Sequence, residues 1–115
     1  MYALKNKVQL IGNLGNAPEV KTLETGKKMA RFSVATSESY RNAKGEKVTE
    51  TQWHRVIAWG KLAEIAEKYL DKGKEVVVEG KLINRSYNDK DGNKKYITEI
   101  QLNELLMLGT KPAEN

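Results

Sequence analysis

Residues 51–73 read TQWHRVIAWGKLAEIAEKYLDKG, and the side-chain pattern changes period partway along. Up to Trp59 the residues alternate as a strand does. Trp53, Arg55, Ile57 and Trp59 share one parity, and His54, Val56 and Ala58 share the other. From Lys61 to Asp71 the period lengthens. Leu62, Ile65, Ala66 and Tyr69 recur at i, i+3, i+4 and i+7, which predicts a helix with one apolar stripe, laid as a lid on a core. Glu64 precedes Lys68 by four residues, the favourable order for an ion pair on the exposed side. Lys72 and Gly73 then supply the cation and the glycine expected at a helix end.

Working outward, strand signals lie on both sides of this switch. Val8–Leu14 (VQLIGNL) alternates Val8, Leu10 and Gly12 against Gln9, Ile11 and Asn13. Gly12 and Gly15 within and after it point to a bulge or a close backbone approach. Ala17-Pro18 imposes extended or turned backbone, Glu19–Leu23 is a short strand, and Thr25-Gly26 is a turn. Lys28–Tyr40 is the second long strand, with Ala30, Phe32, Val34 and Thr36 on one parity. The polar connector Arg41–Lys47 leads into the third, Val48–Trp59. After the helix, Glu75–Asn88 and Lys94–Leu108 flank Asp89–Asn93, whose Asp-Gly is the strongest turn signal in the chain. Three long strands, one helix and two more strands is the element order of an OB-fold, an all-β, five-stranded Greek-key barrel with a helix between strands 3 and 4. The reading places one such domain over residues 1–109 and a short polar end over 110–115.

Composition narrows the chemistry. The 115 residues are enough for one domain with its own core. There is no cysteine, which excludes disulfides, thiolate metal sites and cysteine nucleophiles. A single histidine makes no histidine cluster, so neither a metal nor another cofactor is expected. No apolar run approaches the ~20 residues that cross a bilayer, and the N-terminus lacks a signal-peptide pattern, so a cytoplasmic, nucleoid-associated location and no membrane partner are expected. Twenty Lys and Arg against fifteen Asp and Glu leave a formal charge of +5, a balance that favours polyanionic partners.

Arg55 standing between Trp53 and Trp59 is odd for a core face. It suits an outer face on which bases stack on rings while a cation meets phosphate. The fourth long strand repeats the device with Lys81, Ile83, Arg85 and Tyr87 on one parity, and the hairpin beyond adds Lys90, Lys94, Lys95 and Tyr96. Tyr40-Arg41 is a further aromatic–cation pair, although Tyr40 shares parity with Phe32 and Val34, so exposing it requires a bulge or a sharp twist. His54 has no legible serine–aspartate partnership and reads as a polar or subunit contact. Asp89 and Asp91 lack the remaining ligands of a calcium loop and are turn residues. Gly12-Asn13-Leu14-Gly15 lacks the spacing of a phosphate-cradling loop.

The stretches NKVQLIGNLGNAPEV, ATSESY, TQWHRVIAWGKLAEIAEKYLDKG, VVVEGKL, the DKDG hairpin and LMLG resemble the bacterial single-stranded DNA-binding proteins over about residues 6–109. The resemblance implies an OB-fold subunit of a homotetramer around which single-stranded DNA wraps in replication, recombination and repair. It places base-stacking rings at Tyr40, Trp53, Trp59 and Tyr87, and phosphate contacts at Arg55 and Arg85, with Ile83 where a basic residue is common. It places His54 near a subunit interface. That family usually continues into a glycine- and proline-rich tail with an acidic tip that recruits other enzymes. This sequence ends in GTKPAEN, so it reads either as a truncated chain or as a short relative serving plasmid transfer or DNA uptake, and tail-mediated recruitment is not carried over.

Two other readings compete. Stacking and phosphate contacts serve RNA as well as DNA, so an RNA-binding OB-fold fits the same residues. An OB-fold nuclease would need clustered carboxylates for a metal or an Arg–Glu arrangement around a water. The twelve glutamates are scattered, and Glu50 and Glu79 have no legible acidic companion, so no catalytic residue is assigned.

Overall fold

The computed structural model describes residues 5–108, so the polar end assigned to 110–115 and the question of a tail lie outside the described residues. The elements in chain order are β1 (Val8–Leu14), β2 (Glu19–Thr22), β3 (Lys28–Arg41), β4 (Lys47–Trp59), α1 (Lys61–Tyr69), β5 (Glu75–Asn88) and β6 (Lys94–Met107). Neighbouring strands run β1-β5-β6-β4-β3, and β1 pairs with β3 to close a five-stranded barrel, with the short β2 added to β3. The pairings are antiparallel except β4 with β6, which meet in parallel only at Val56–Ile100 and Ile57–Gln101. The OB-fold expected from element order is the fold observed.

Two glycines make the closure possible. A β-carbon on Gly12 would run into the carbonyl oxygen of Ala35 on β3, so β1 can cross β3 only without a side chain there. Gly80 lies equally close to the Gln101 carbonyl, at the register shift Glu79/Gly80 where β5 bends around the barrel. The Asn6 side chain extends the β1–β5 ladder, its Nδ2 donating to the Leu82 carbonyl while its Oδ1 accepts from the Leu82 amide.

The interior is filled by Ala30, Phe32 and Val34 from β3, Val56 and Ala58 from β4, Val76 and Val78 from β5, and Ile100 and Leu102 from β6. Each buried branched side chain contributes roughly 1.5–3 kcal/mol. The helix closes one end, as its period predicts, but presents a different stripe. Ala63, Ala66 and Leu70 are buried, Leu62 is partly packed, and Tyr69 is 57% exposed. Small alanines let the helix axis sit close to the strands, and Leu70, just past the last turn, supplies the bulk that Tyr69 was expected to give. Leu70 is extended and its amide caps the Ala66 carbonyl, so the helix ends at Tyr69, not Asp71. Gly73, with φ 88°, serves the turn into β5 instead. Glu64 and Lys68 do not pair. The helix is tied to the barrel by Lys28 Nζ donating to Glu67 Oε1 at 2.7 Å, a bond that raises the Lys28 pKa above its ordinary value. No helix among the described residues is long and apolar enough to cross a membrane.

Three hairpin loops share one construction. At Leu23–Lys27, Asn42–Glu46 and Asp89–Asn93 the first amide donates to the fifth carbonyl, and the fourth residue is a glycine with positive φ. In the latter two, the side chain of Asn42 or Asp89 also accepts from two loop amides. These loops cap two long arms, β3–β4 and β5–β6. From Ser37 to Lys47 and from Asn84 to Tyr96 nearly every residue is exposed, so the arms stand clear of the core. The radius of gyration of 16.6 Å, against about 13 Å for a compact chain of this length, reflects that projection.

Candidate nucleic-acid interface

Cross-strand register decides which side chains share a surface. Ser33–Arg55, Arg31–Ile57 and Met29–Trp59 are opposed on β3 and β4, and Ile83–Glu99, Arg85–Ile97 and Tyr87–Lys95 on β5 and β6. The parallel pair Ile57–Gln101 puts these two sets on one outer face. Trp53, Arg55, Trp59, Lys81, Arg85, Tyr87 and Lys95 therefore lie on a single surface, as parity predicts. Lys94 is on the opposite parity, at the base of the Asp89–Asn93 loop.

Where β4 and β6 part beyond their short parallel contact, the two arms diverge and leave a cleft. Its first hollow, about 390 Å³, is lined by Trp53, His54 and Arg55 on one side and Leu82, Tyr87, Tyr96 and Thr98 on the other. A second of about 320 Å³ contains Arg31, Arg55, Arg85 and Glu99. A third of about 250 Å³ contains Arg31, Trp59, Ile83, Arg85 and Glu99. Shared walls make the three a continuous track from Trp53 to Trp59, six residues apart on one strand and so about 20 Å long. A larger hollow of about 630 Å³ lies beside the helix, but its lysines are offset by Glu64 and Glu67 and it offers one tyrosine, with no second ring.

The rings differ in their surroundings. Trp53 is 62% exposed and opposite the small Ala35, with its indole against the backbone of Gly15. That segment is pinned by Asn16, whose Oδ1 accepts from the Ser33 amide and hydroxyl. Tyr87 is 53% exposed on the β5 arm. Trp59 is half-buried, and the Lys27 ammonium lies over its ring at 5.2 Å from the centroid, which covers one face. Tyr40 is exposed without any register shift between β3 and β4, so of the bulge or sharp twist that its parity required, no bulge is present. Its arm has simply left the core, so inward parity there no longer means burial. Tyr40 remains on the parity of Phe32 and His54, opposite to Trp53, with its hydroxyl 3.4 Å from Glu50.

Arg85 Nε donates to Glu99 Oε1 at 3.0 Å, and this bond together with the carboxylate charge raises the Arg85 pKa. His54 Nε2 and Thr36 Oγ1 are 2.9 Å apart, and His54 is half-buried at the edge of the cleft. Among the described residues no three His, Asp or Glu side chains are grouped as metal ligands. Reading the sequence alone missed Lys27, Arg31 and Glu99 as members of this surface. Arg31 was legible in principle, since it has the outer parity of β3. Lys27 was not, because it lies in the loop before β3 and meets Trp59 only through the register that sets Met29 opposite Trp59, and Glu99 was not, because only the β4–β6 contact brings it to the β4 face.

The family model described as the single-strand binding protein family matches residues 5–108. Single-stranded DNA-binding protein 1 of Chlorobaculum tepidum is 49% identical over 109 residues, covering 94% of this chain and 67% of that protein. The protein of the same name from Xylella fastidiosa is 45% identical over 111 residues, covering 96% and 82%. A solved structure titled Plasmodium falciparum SSB complex with ssDNA superposes with a TM-score of 0.82 at 38% identity, covering 90% of this chain and 95% of that one. The chain belongs to the single-strand binding protein family.

Proposed function

We propose that this member of the single-strand binding protein family binds and protects single-stranded DNA in replication, recombination and repair, without regard to sequence and without enzymatic change. The observation that carries this is the continuous track in which Trp53, Trp59 and Tyr87 alternate with Arg55 and Arg85. A base laid on an exposed ring contributes about 1–3 kcal/mol whatever its identity. Each phosphate neutralised by an arginine or lysine releases counterions, so affinity falls as salt rises. Lys81, Lys94 and Lys95 extend the positive field along the β5–β6 arm, and Tyr40 offers a further ring on the other arm. Tyr96, 74% exposed and near the Lys94 ammonium, joins them in this reading.

Assembly into a homotetramer is part of the same proposal. Ile11, Val77 and Leu106 are direct cross-strand neighbours on β1, β5 and β6, and Ile11 and Leu106 are 56% and 60% exposed. A row of apolar side chains across three strands is a surface suited to another copy of the chain. His54, at the edge of the cleft, takes a contact from a neighbouring subunit. The test of binding is tryptophan fluorescence titrated with oligo-dT at two salt concentrations. Quenching with a strong salt dependence is expected; unchanged emission with salt-independent binding would reject the proposal. Competition with an RNA oligomer of matched length is expected to favour DNA, and an RNA preference would reassign the substrate.

A further inference from the structure

Glu99 is the only buried charged residue among the described residues, 5% exposed, and it lies on the face that the DNA-binding reading assigns to a polyanion. A carboxylate there repels phosphate, and burying it is costly unless it is paired. Its partner is Arg85, bonded through Nε at 3.0 Å, while the Arg85 side chain remains 47% exposed. Arg31 and Arg55 line the same hollow. We infer that Glu99 is a positioning residue for phosphate binding: from beneath the track it holds the Nε edge of Arg85 and leaves both Nη groups for a phosphate oxygen.

Three features support this. Glu99 faces Ile83 directly across the β5–β6 ladder, so the carboxylate rises from the sheet between β5 and β4 and reaches Arg85 diagonally. A guanidinium tied through Nε keeps a forked pair of donors in one orientation, and this is what an oxyanion with fixed geometry rewards. Finally, the negative charge offsets the mutual repulsion of Arg31, Arg55 and Arg85, so the three can converge on one hollow before any DNA arrives. The inference rests on the proposed DNA binding, and wild-type protein serves as the control that separates the two. If wild type fails to bind oligo-dT the broader reading falls, whereas failure of the variants alone to behave as stated overturns only the role of Glu99.

The experiment compares wild type with Glu99→Gln, Glu99→Asp and Arg85→Lys by fluorescence titration with oligo-dT across a series of salt concentrations. Charge alone requires Glu99→Gln to bind more tightly, because it removes a repelling carboxylate. Positioning requires weaker binding, with the slope of log K against log salt reduced by about one unit as the Arg85 contact is lost. Glu99→Asp keeps the charge but withdraws the carboxylate by one methylene, and is also expected to bind several-fold more weakly. Arg85→Lys keeps a cation to offset the buried Glu99 carboxylate but not the Nε bond, and the same loss is expected. Tighter or unchanged binding by Glu99→Gln, or wild-type affinity in Arg85→Lys, would overturn the inference.

Discussion

The indole of Trp53 rests on the backbone of Gly15: a β-carbon built there would collide with ring atom Cζ3 and lie 2.9 Å from Cη2. Gly15 does not have a positive φ, so alanine meets no backbone strain at this position and its cost falls on the ring. Gly15→Ala is expected to push Trp53 from its resting place and to weaken oligo-dT binding several-fold, with smaller quenching. Thermal unfolding should be nearly unchanged. A full wild-type titration curve would show that this seat does not matter.

Trp53 and Trp59 separate by burial. Trp53→Ala removes a largely exposed ring, so it should cost about 1–3 kcal/mol in binding and almost nothing in stability. Trp59→Ala also uncovers part of the barrel wall and strips Lys27 of its ring. It is expected to lower stability by about 1–2 kcal/mol, less than a fully buried tryptophan would. Urea denaturation of both variants, beside their titrations, checks the contrast.

Barrel closure depends on the bare backbone at Gly12. Adding a methyl group forces β1 away from the Ala35 carbonyl, and Gly12→Ala should destabilise the fold by about 1–3 kcal/mol. The denaturation midpoint should fall, while the molecules still folded bind oligo-dT as wild type does.

The apolar row on β1, β5 and β6 predicts the assembly. Light scattering is expected to give a mass near four chains for wild type. A charge in the row, as in Leu106→Glu, should lower that mass, because a buried interfacial carboxylate has no partner there. A wild-type monomer would remove the assembly altogether, and a Leu106→Glu variant of unchanged mass would place the interface elsewhere.

The period change at Trp59–Lys61, the Asp-Gly hairpin and the alternation of β3–β5 made the barrel legible before any coordinates. The outer parity of Trp53, Arg55, Arg85 and Tyr87 was legible in the same way. The helix shows where periodicity stops. Leu62, Ile65, Ala66 and Tyr69 and the observed Ala63, Ala66 and Leu70 both satisfy helical spacing, and only the depth available above the barrel chose the smaller set. Tyr40 marks a related limit, since parity says which way a side chain points and not whether anything covers it.

What the sequence by itself determined is local: strand faces, the helix between the third and fourth long strands, and the three glycine loops. These follow from side-chain alternation and backbone sterics within a few residues. Only the tertiary structure decided that Lys27 covers Trp59, that Gly15 supports Trp53 and that Glu99 lies beneath Arg85. Each of these contacts joins residues 14 to 38 positions apart, and such neighbours are set by the register between paired strands and by the crossing of β1 over β3.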